Sequence, residues 1–196
     1  MILNVSKIVK DEILKLGGTP IENRTGASYL MDSVMKNDIS FMIDCTMNLY
    51  EHQSSYNPNM PLRGFLYFAT LYNVYTEQRK LNLFSSTLQK IPTPQFVVFY
   101  NGLKNEPDRK ILRLSDAFQT KGGCLECEAV MLNINYGKNR ELMEKCRRLE
   151  EYAIFIATVR EYAADKKRSL GTAITLAIDA CIEKGILLDI LTVERA

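Results

Sequence analysis

Residues 36–55, KNDISFMIDCTMNLYEHQSS, gather Lys36, Asp38, Asp44, Glu51, Gln53 and the chain's single histidine, His52, around two short apolar runs. The runs ISFMI (39–43) and MNLYEHQ (47–53) have strand length, and Asp44-Cys45-Thr46 between them reads as the turn of a β-hairpin. A two- or four-residue turn centred on Asp44-Cys45 sets Ile43 opposite Thr46, Asp38 opposite Glu51 and Lys36 opposite Gln53. Directly opposed residues share a sheet face, as do residues two apart along a strand. Lys36, Asp38, Glu51 and Gln53 therefore converge at the open end of the hairpin, with His52 on the other face and Asp44 left at the turn. A three-residue loop with a bulge would instead put Asp38 and Glu51 on opposite faces.

Like charges directly across a hairpin repel, so two facing carboxylates imply something positive between them. Two carboxylate oxygens, a backbone carbonyl and waters suit a hard divalent ion such as Mg2+ or Mn2+. The carbonyl of His52, between Glu51 and Gln53, is the natural additional ligand. An ion held this way activates a water, orients a phosphodiester and stabilises developing charge. The plainer alternative is a solvated hairpin end at which Lys36 neutralises both acids.

The elements that must position these residues follow from periodicity. Apolar residues at 5, 8, 9, 13 and 16 predict a helix over 5–16 that Gly17-Gly18 ends. Residues 19–28 read as loop, with room only for a short strand. After the hairpin, turn chemistry leads to Pro61 in a first helical turn, and a helix runs to about Lys80. FVVFY, ended by Asn101-Gly102, reads as a strand buried on both faces, and residues 125–137 as a further strand. One helix from Asn139 to about Lys166 and another from Leu170 to Lys184, stopped by Gly185, complete the chain. The order predicts an α/β protein with a mixed sheet flanked by helices.

The 196 residues are enough for one domain with a buried core, and 46% apolar and 24% charged residues argue against disorder. A formal charge of +2 neither demands nor excludes a nucleic-acid partner, since a local basic groove can sit on a nearly neutral protein. The N-terminus lacks the apolar core of a secretory signal, and no run is long enough for a membrane span. Five scattered cysteines suit a reducing compartment, so a cytoplasmic protein is expected.

KND-ISFMID, then LYEHQSSYNPNMPLR, the strand FVVFYNG and LNINYGKNRELMEKC together resemble the recombination-promoting nuclease and transposase family of the PD-(D/E)XK nuclease superfamily. The likeness covers roughly residues 30–160, and EHQS followed by NPNMPLR, with FYNG downstream, is its most specific part. It implies a restriction-endonuclease-like core over residues 1–137, with 138–196 as a helical segment packed on or extending it. It also implies metal-dependent DNA cleavage tied to recombination or transposition, with Asp38 and Glu51 on the ion and Gln53 where the superfamily usually has lysine. An amide does not titrate, so Gln53 orients the water without deprotonating it, and Lys36 is the candidate for the missing ammonium. The short stretch before Asp38 and the end at Ala196 give the rival expectation. That is a truncated, inactive remnant of a mobile element that binds DNA or a second copy of itself.

Arg63, one turn into its helix, belongs to the NPNMPLR match and is placed either to hold a phosphate or to serve as a packing or salt-bridge arginine. Lys138 and Arg140, at a helix start just after a strand, are placed for the DNA backbone in a sequence-independent, salt-sensitive way. Further basic clusters recur at Arg109-Lys110-Arg113, Arg147-Arg148 and Lys166-Lys167-Arg168, and the last two, interleaved with Glu150, Glu151, Glu161 and Asp165, read most simply as solvated helix faces. Cys124-x-x-Cys127 lacks the second ligand pair that zinc requires.

Overall fold

Ile43 pairs with Thr46, Phe41 with Asn48 and Ile39 with Tyr50, the hairpin register expected from the sequence. The protein is seen here as a computed structural model that describes residues 19–20, 39–43 and 45–195. The helix expected over 5–16 lies outside the described residues, as do Lys36, Asp38 and Asp44. The hairpin strands are β2 (Ile39–Ile43) and β3 (Thr46–Gln53), and a two-residue strand, β1 (Thr19–Pro20), pairs antiparallel with β2.

The chain then enters helix α1 (Met60–Gln78), with Pro61 in its first turn, and returns as β4 (Thr93–Tyr100), parallel to β3. Strands β5 (Arg109–Arg113) and β6 (Glu128–Asn133) follow, with β6 parallel to β4 and β5 antiparallel to β6. The sheet has six strands in the order β1-β2-β3-β4-β6-β5. Helices α2 (Arg140–Lys145), α3 (Arg147–Ala163), α4 (Leu170–Glu183) and α5 (Leu188–Arg195) close the chain. The protein is thus an α/β fold with a mixed sheet flanked by helices.

Strand alternation divides the core in two. Met47, Leu49, Phe96, Val98, Tyr100 and Met131 face α1, which meets them with Met60, Tyr67, Phe68 and Leu71. Those positions lie on one helical stripe. Gly64 lies on it too, and a Cβ there would come within 2.4 Å of the Phe96 ring. Tyr50, Val97, Phe99 and Leu132 face α3, which presents Leu149, Tyr152 and Ala153. Small residues Ala173, Ala177 and Cys181, one per turn of α4, are buried. β4, central and apolar on both faces, is the doubly buried strand that FVVFY implied.

Several expectations are corrected. A strand not expected from the sequence, β5, holds Arg109-Lys110-Arg113 at the sheet edge, with Leu112 buried while Arg109 and Arg113 stay exposed. Charged residues on an edge discourage pairing with another sheet. The strand expected over 125–137 is shorter, Glu128–Asn133, and Cys124 and Cys127 precede it. The single helix expected from Asn139 breaks at Cys146, whose φ of −132° and ψ of 82° are not helical. α5, after Leu187, was not expected.

Candidate functional site

The pleat of β3 turns Glu51 and Gln53 toward α1, continuing the row that begins with Met47 and Leu49. Glu51 is 2% exposed, and its Oε2 lies 3.2 Å from Nη2 of Arg63. The Gln53 amide donates to the same oxygen at 3.4 Å. Nη2 of Arg63 also donates to the Tyr67 hydroxyl at 2.9 Å, and Nη1 approaches the Met60 sulfur at 3.7 Å. Crossing back over the sheet, the first turns of α1 set a guanidinium on the last buried carboxylate of β3. Of the two roles the sequence allowed Arg63, the structure shows the salt bridge, with Glu51 as the partner that the sequence did not name.

His52 points to the other face, as expected, and its ring meets Tyr152 edge-on with centroids 6.3 Å apart. Its backbone is informative as well. Asn101 N–H donates to the Gln53 carbonyl at 3.1 Å and Thr93 N–H to the Cys45 carbonyl at 2.9 Å. Odd-numbered residues of β3 therefore turn their backbone polar groups toward β4, and even-numbered ones toward β2. The His52 carbonyl thus faces the β2 side, where a shared ligand would have to lie. The pairs Met42–Met47 and Ser40–Leu49 are by the same reasoning the close, non-hydrogen-bonded kind. Among the described residues no three His, Cys, Asp or Glu side chains gather as a metal site. Glu51 and the His52 carbonyl are hard oxygen donors of the type Mg2+ takes.

The carboxyl ends of the parallel strands carry a polar lattice that sequence reasoning missed. Asn133 donates to the Glu106 carbonyl at 2.7 Å, Asn135 to the Gly102 carbonyl at 3.1 Å, and the Tyr100 hydroxyl to the Lys104 carbonyl at 2.9 Å. Asn139, at φ +44°, donates its amide to the carbonyls of Asp108 and Asn133. Arg160 donates to the Asn135 side chain at 2.6 Å and to the Asn101 carbonyl. The alternating Asn133-Ile134-Asn135 at a strand end was the available signal. Alternation puts Asn133 and Asn135 on the side away from Ile134, which enters the α3 core.

Within this lattice Glu106 is buried, and its carboxylate takes Lys104 at 3.0 Å and Lys110 at 3.3 Å. Both ammonium groups stand over the Tyr56 ring, at 4.7 and 4.4 Å from its centroid. The hydrogen bond from Lys104 leads in holding the Glu106 carboxyl below its ordinary value, and the bond to Tyr56 leads in raising the Lys110 ammonium above its own. Lys138 lies 3.8 Å from Asp108, while Arg140 pairs with Glu144 at 3.0 Å, exposed at the start of α2. An open cleft of about 720 Å³ between α3 and α5 is unrelated to these residues. Its Arg148 forks onto Asp189 at 2.7 and 2.6 Å, and its Arg147 pairs with Glu151 at 2.9 Å.

No helix among the described residues is long and apolar enough to cross a membrane. No protein-family model matches the chain, and no curated protein or solved structure does either.

Proposed function

We propose that the chain is a divalent-metal-dependent DNA endonuclease of the PD-(D/E)XK kind, built on a restriction-endonuclease-like core and acting in recombination or transposition. The observation that carries this reading is Glu51, a carboxylate 2% exposed at the carboxyl end of β3. The partner expected for it from the sequence, Asp38, lies outside the described residues. Ligands of open α/β sheets commonly bind outside the carboxyl ends of the parallel strands.

In this reading Asp38, Glu51 and the His52 carbonyl hold Mg2+ or Mn2+. The bound ion supplies Lewis-acid polarisation and a water of lowered pKa. Gln53 stays neutral, so it orients the attacking water by hydrogen bonding and takes no proton. Arg63 brings a permanent positive charge beside Glu51, able to donate to a non-bridging phosphate oxygen once its hold on the carboxylate loosens. Lys36 contributes an ammonium in this reading. Lys138 and Arg140 contact the DNA backbone.

A second reading is favoured by the Arg63–Glu51 ion pair itself, which compensates the buried carboxylate without any metal. It is a non-catalytic remnant that keeps the fold and binds DNA or a second copy of the chain. Nicking of supercoiled plasmid with Mg2+ or Mn2+ separates the two. The endonuclease reading expects metal-dependent relaxation by wild type that falls to background in Asp38→Ala and Glu51→Gln. Folded wild-type protein that binds duplex DNA and never nicks it, with either metal, overturns that reading in favour of the second.

A further inference from the structure

We propose that Lys104 and Lys110 form a phosphate clamp that grips the backbone of a DNA strand beside the end of β3, a subsite none of the residues assigned above supplies. This rests on the nucleic-acid partner of the proposed function but not on its chemistry. Two ammonium groups converge on one buried carboxylate, Glu106, so the cluster carries one positive charge more than its internal pairing needs. Both groups stand over the single Tyr56 ring, 4.7 and 4.4 Å from its centroid, and share the Glu106 carboxylate, which holds them close together. Their charge persists through neutral pH, because the Lys110 ammonium is raised and the Glu106 carboxyl lowered.

Location supports a clamp aimed at the same strand as Glu51. Tyr56 follows β3, Lys104 follows β4, and Lys110 lies directly opposite Met131, whose side chain faces α1 as Glu51 does. The cluster therefore sits on the α1 side, at the strands' carboxyl ends. The loop that carries Lys104 is tied down through the carbonyls of Gly102, Lys104, Glu106 and Asp108. A loop fixed at four carbonyls presents its charges without the ordering entropy a free loop loses on binding. The lysines remain open to a ligand, with 67% and 36% of their side chains exposed.

The test is fluorescence anisotropy of full-length protein with a labelled short DNA duplex over a series of salt concentrations, without divalent metal. Replacing both lysines with glutamine (Lys104→Gln, Lys110→Gln) is expected to make the log K against log salt slope shallower by about 1.8, from about 0.9 per phosphate contact. Arginine at both positions is expected to keep the wild-type slope. An unchanged slope in a folded glutamine variant, or no duplex binding by wild type, overturns the clamp. Where the glutamine variant fails to fold, acetylation footprinting of wild type decides. Protection of Lys104 and Lys110 by duplex supports the clamp, and equal labelling with and without duplex overturns it. Nicking reports separately: slope loss without nicking leaves the clamp standing and the endonuclease reading fallen.

Discussion

Replacing Arg63 with methionine keeps most of the apolar stem that packs beside Met60 and Tyr67 while removing the charge at Glu51. Breaking a buried ion pair from one side costs about 3–5 kcal/mol, because a charge is left desolvated. Here the carboxylate is 2% exposed but Arg63 is 32% exposed, and the Gln53 amide still donates to Oε2. Discounting for that partial solvation brings the expected loss to about 2 kcal/mol. For a chain of this size that lowers Tm by roughly 4–8 °C.

Urea unfolding of wild type, Arg63→Met, Glu51→Gln and the double variant isolates the interaction. A coupling energy of about 1–2 kcal/mol is expected, since the double variant no longer buries an unmatched charge. The same series links to the metal. In Arg63→Met the guanidinium no longer competes at Glu51, so Mg2+ at about tenfold over its Kd restores about 1.4 kcal/mol, and wild type gains less. Additive single effects, or a variant within about 0.5 kcal/mol of wild type, would refute the claim that Arg63 compensates a buried Glu51.

Two further outcomes follow from packing. Burial pushes the Tyr152 phenol from its ordinary 10.0 up to about 12, so the folded state holds its proton more tightly than the unfolded one. Stability from this group is whole below pH 10 and is lost as pH rises through 12, by roughly 2–3 kcal/mol. Unfolding across that range should show a shallower alkaline loss in Tyr152→Phe; residual slope from Tyr50 and Tyr72, also raised by burial, is expected, and an unchanged slope refutes the assignment. Gly64→Ala brings a Cβ to 2.4 Å from a Phe96 ring that is itself wedged edge-on against Phe68. The expected net loss is about 1–3 kcal/mol despite alanine's better helix propensity. Relief in a Phe96→Leu background checks the cause, and a stabilised Gly64→Ala refutes it.

What the sequence made legible here is local. The two apolar runs fix the pairing of Ile43 with Thr46, and pleat alternation then sends Glu51 and Gln53 to one face and His52 to the other. Pro61 near a helix start and Gly185 at φ +68° after α4 are likewise decided within a few residues. β5 was hidden because its apolar content is one buried leucine among basic residues, and its strand character comes from pairing with a β6 that follows it in the chain. The break at Cys146 carries no proline or glycine to announce it. The partner the sequence assigned to Glu51, Asp38, lies outside the described residues.

The residues hardest to foresee are those whose role arises only when the crossover closes. Arg63 reaches Glu51 because α1 returns over the sheet at the spacing that Gly64 allows against Phe96. Lys104 and Lys110 meet only because the loop after β4 and the edge strand β5 both abut Tyr56. Hairpin register is a matter of two neighbouring strands, whereas these contacts join segments up to about 50 residues apart along the chain. A carboxylate buried with a guanidinium beside it is not a passive end of a strand. It holds a charge that folding must compensate, with Arg63 kept in place or with Arg63 yielding to a cation, and the Mg2+ dependence of Arg63→Met stability distinguishes the two.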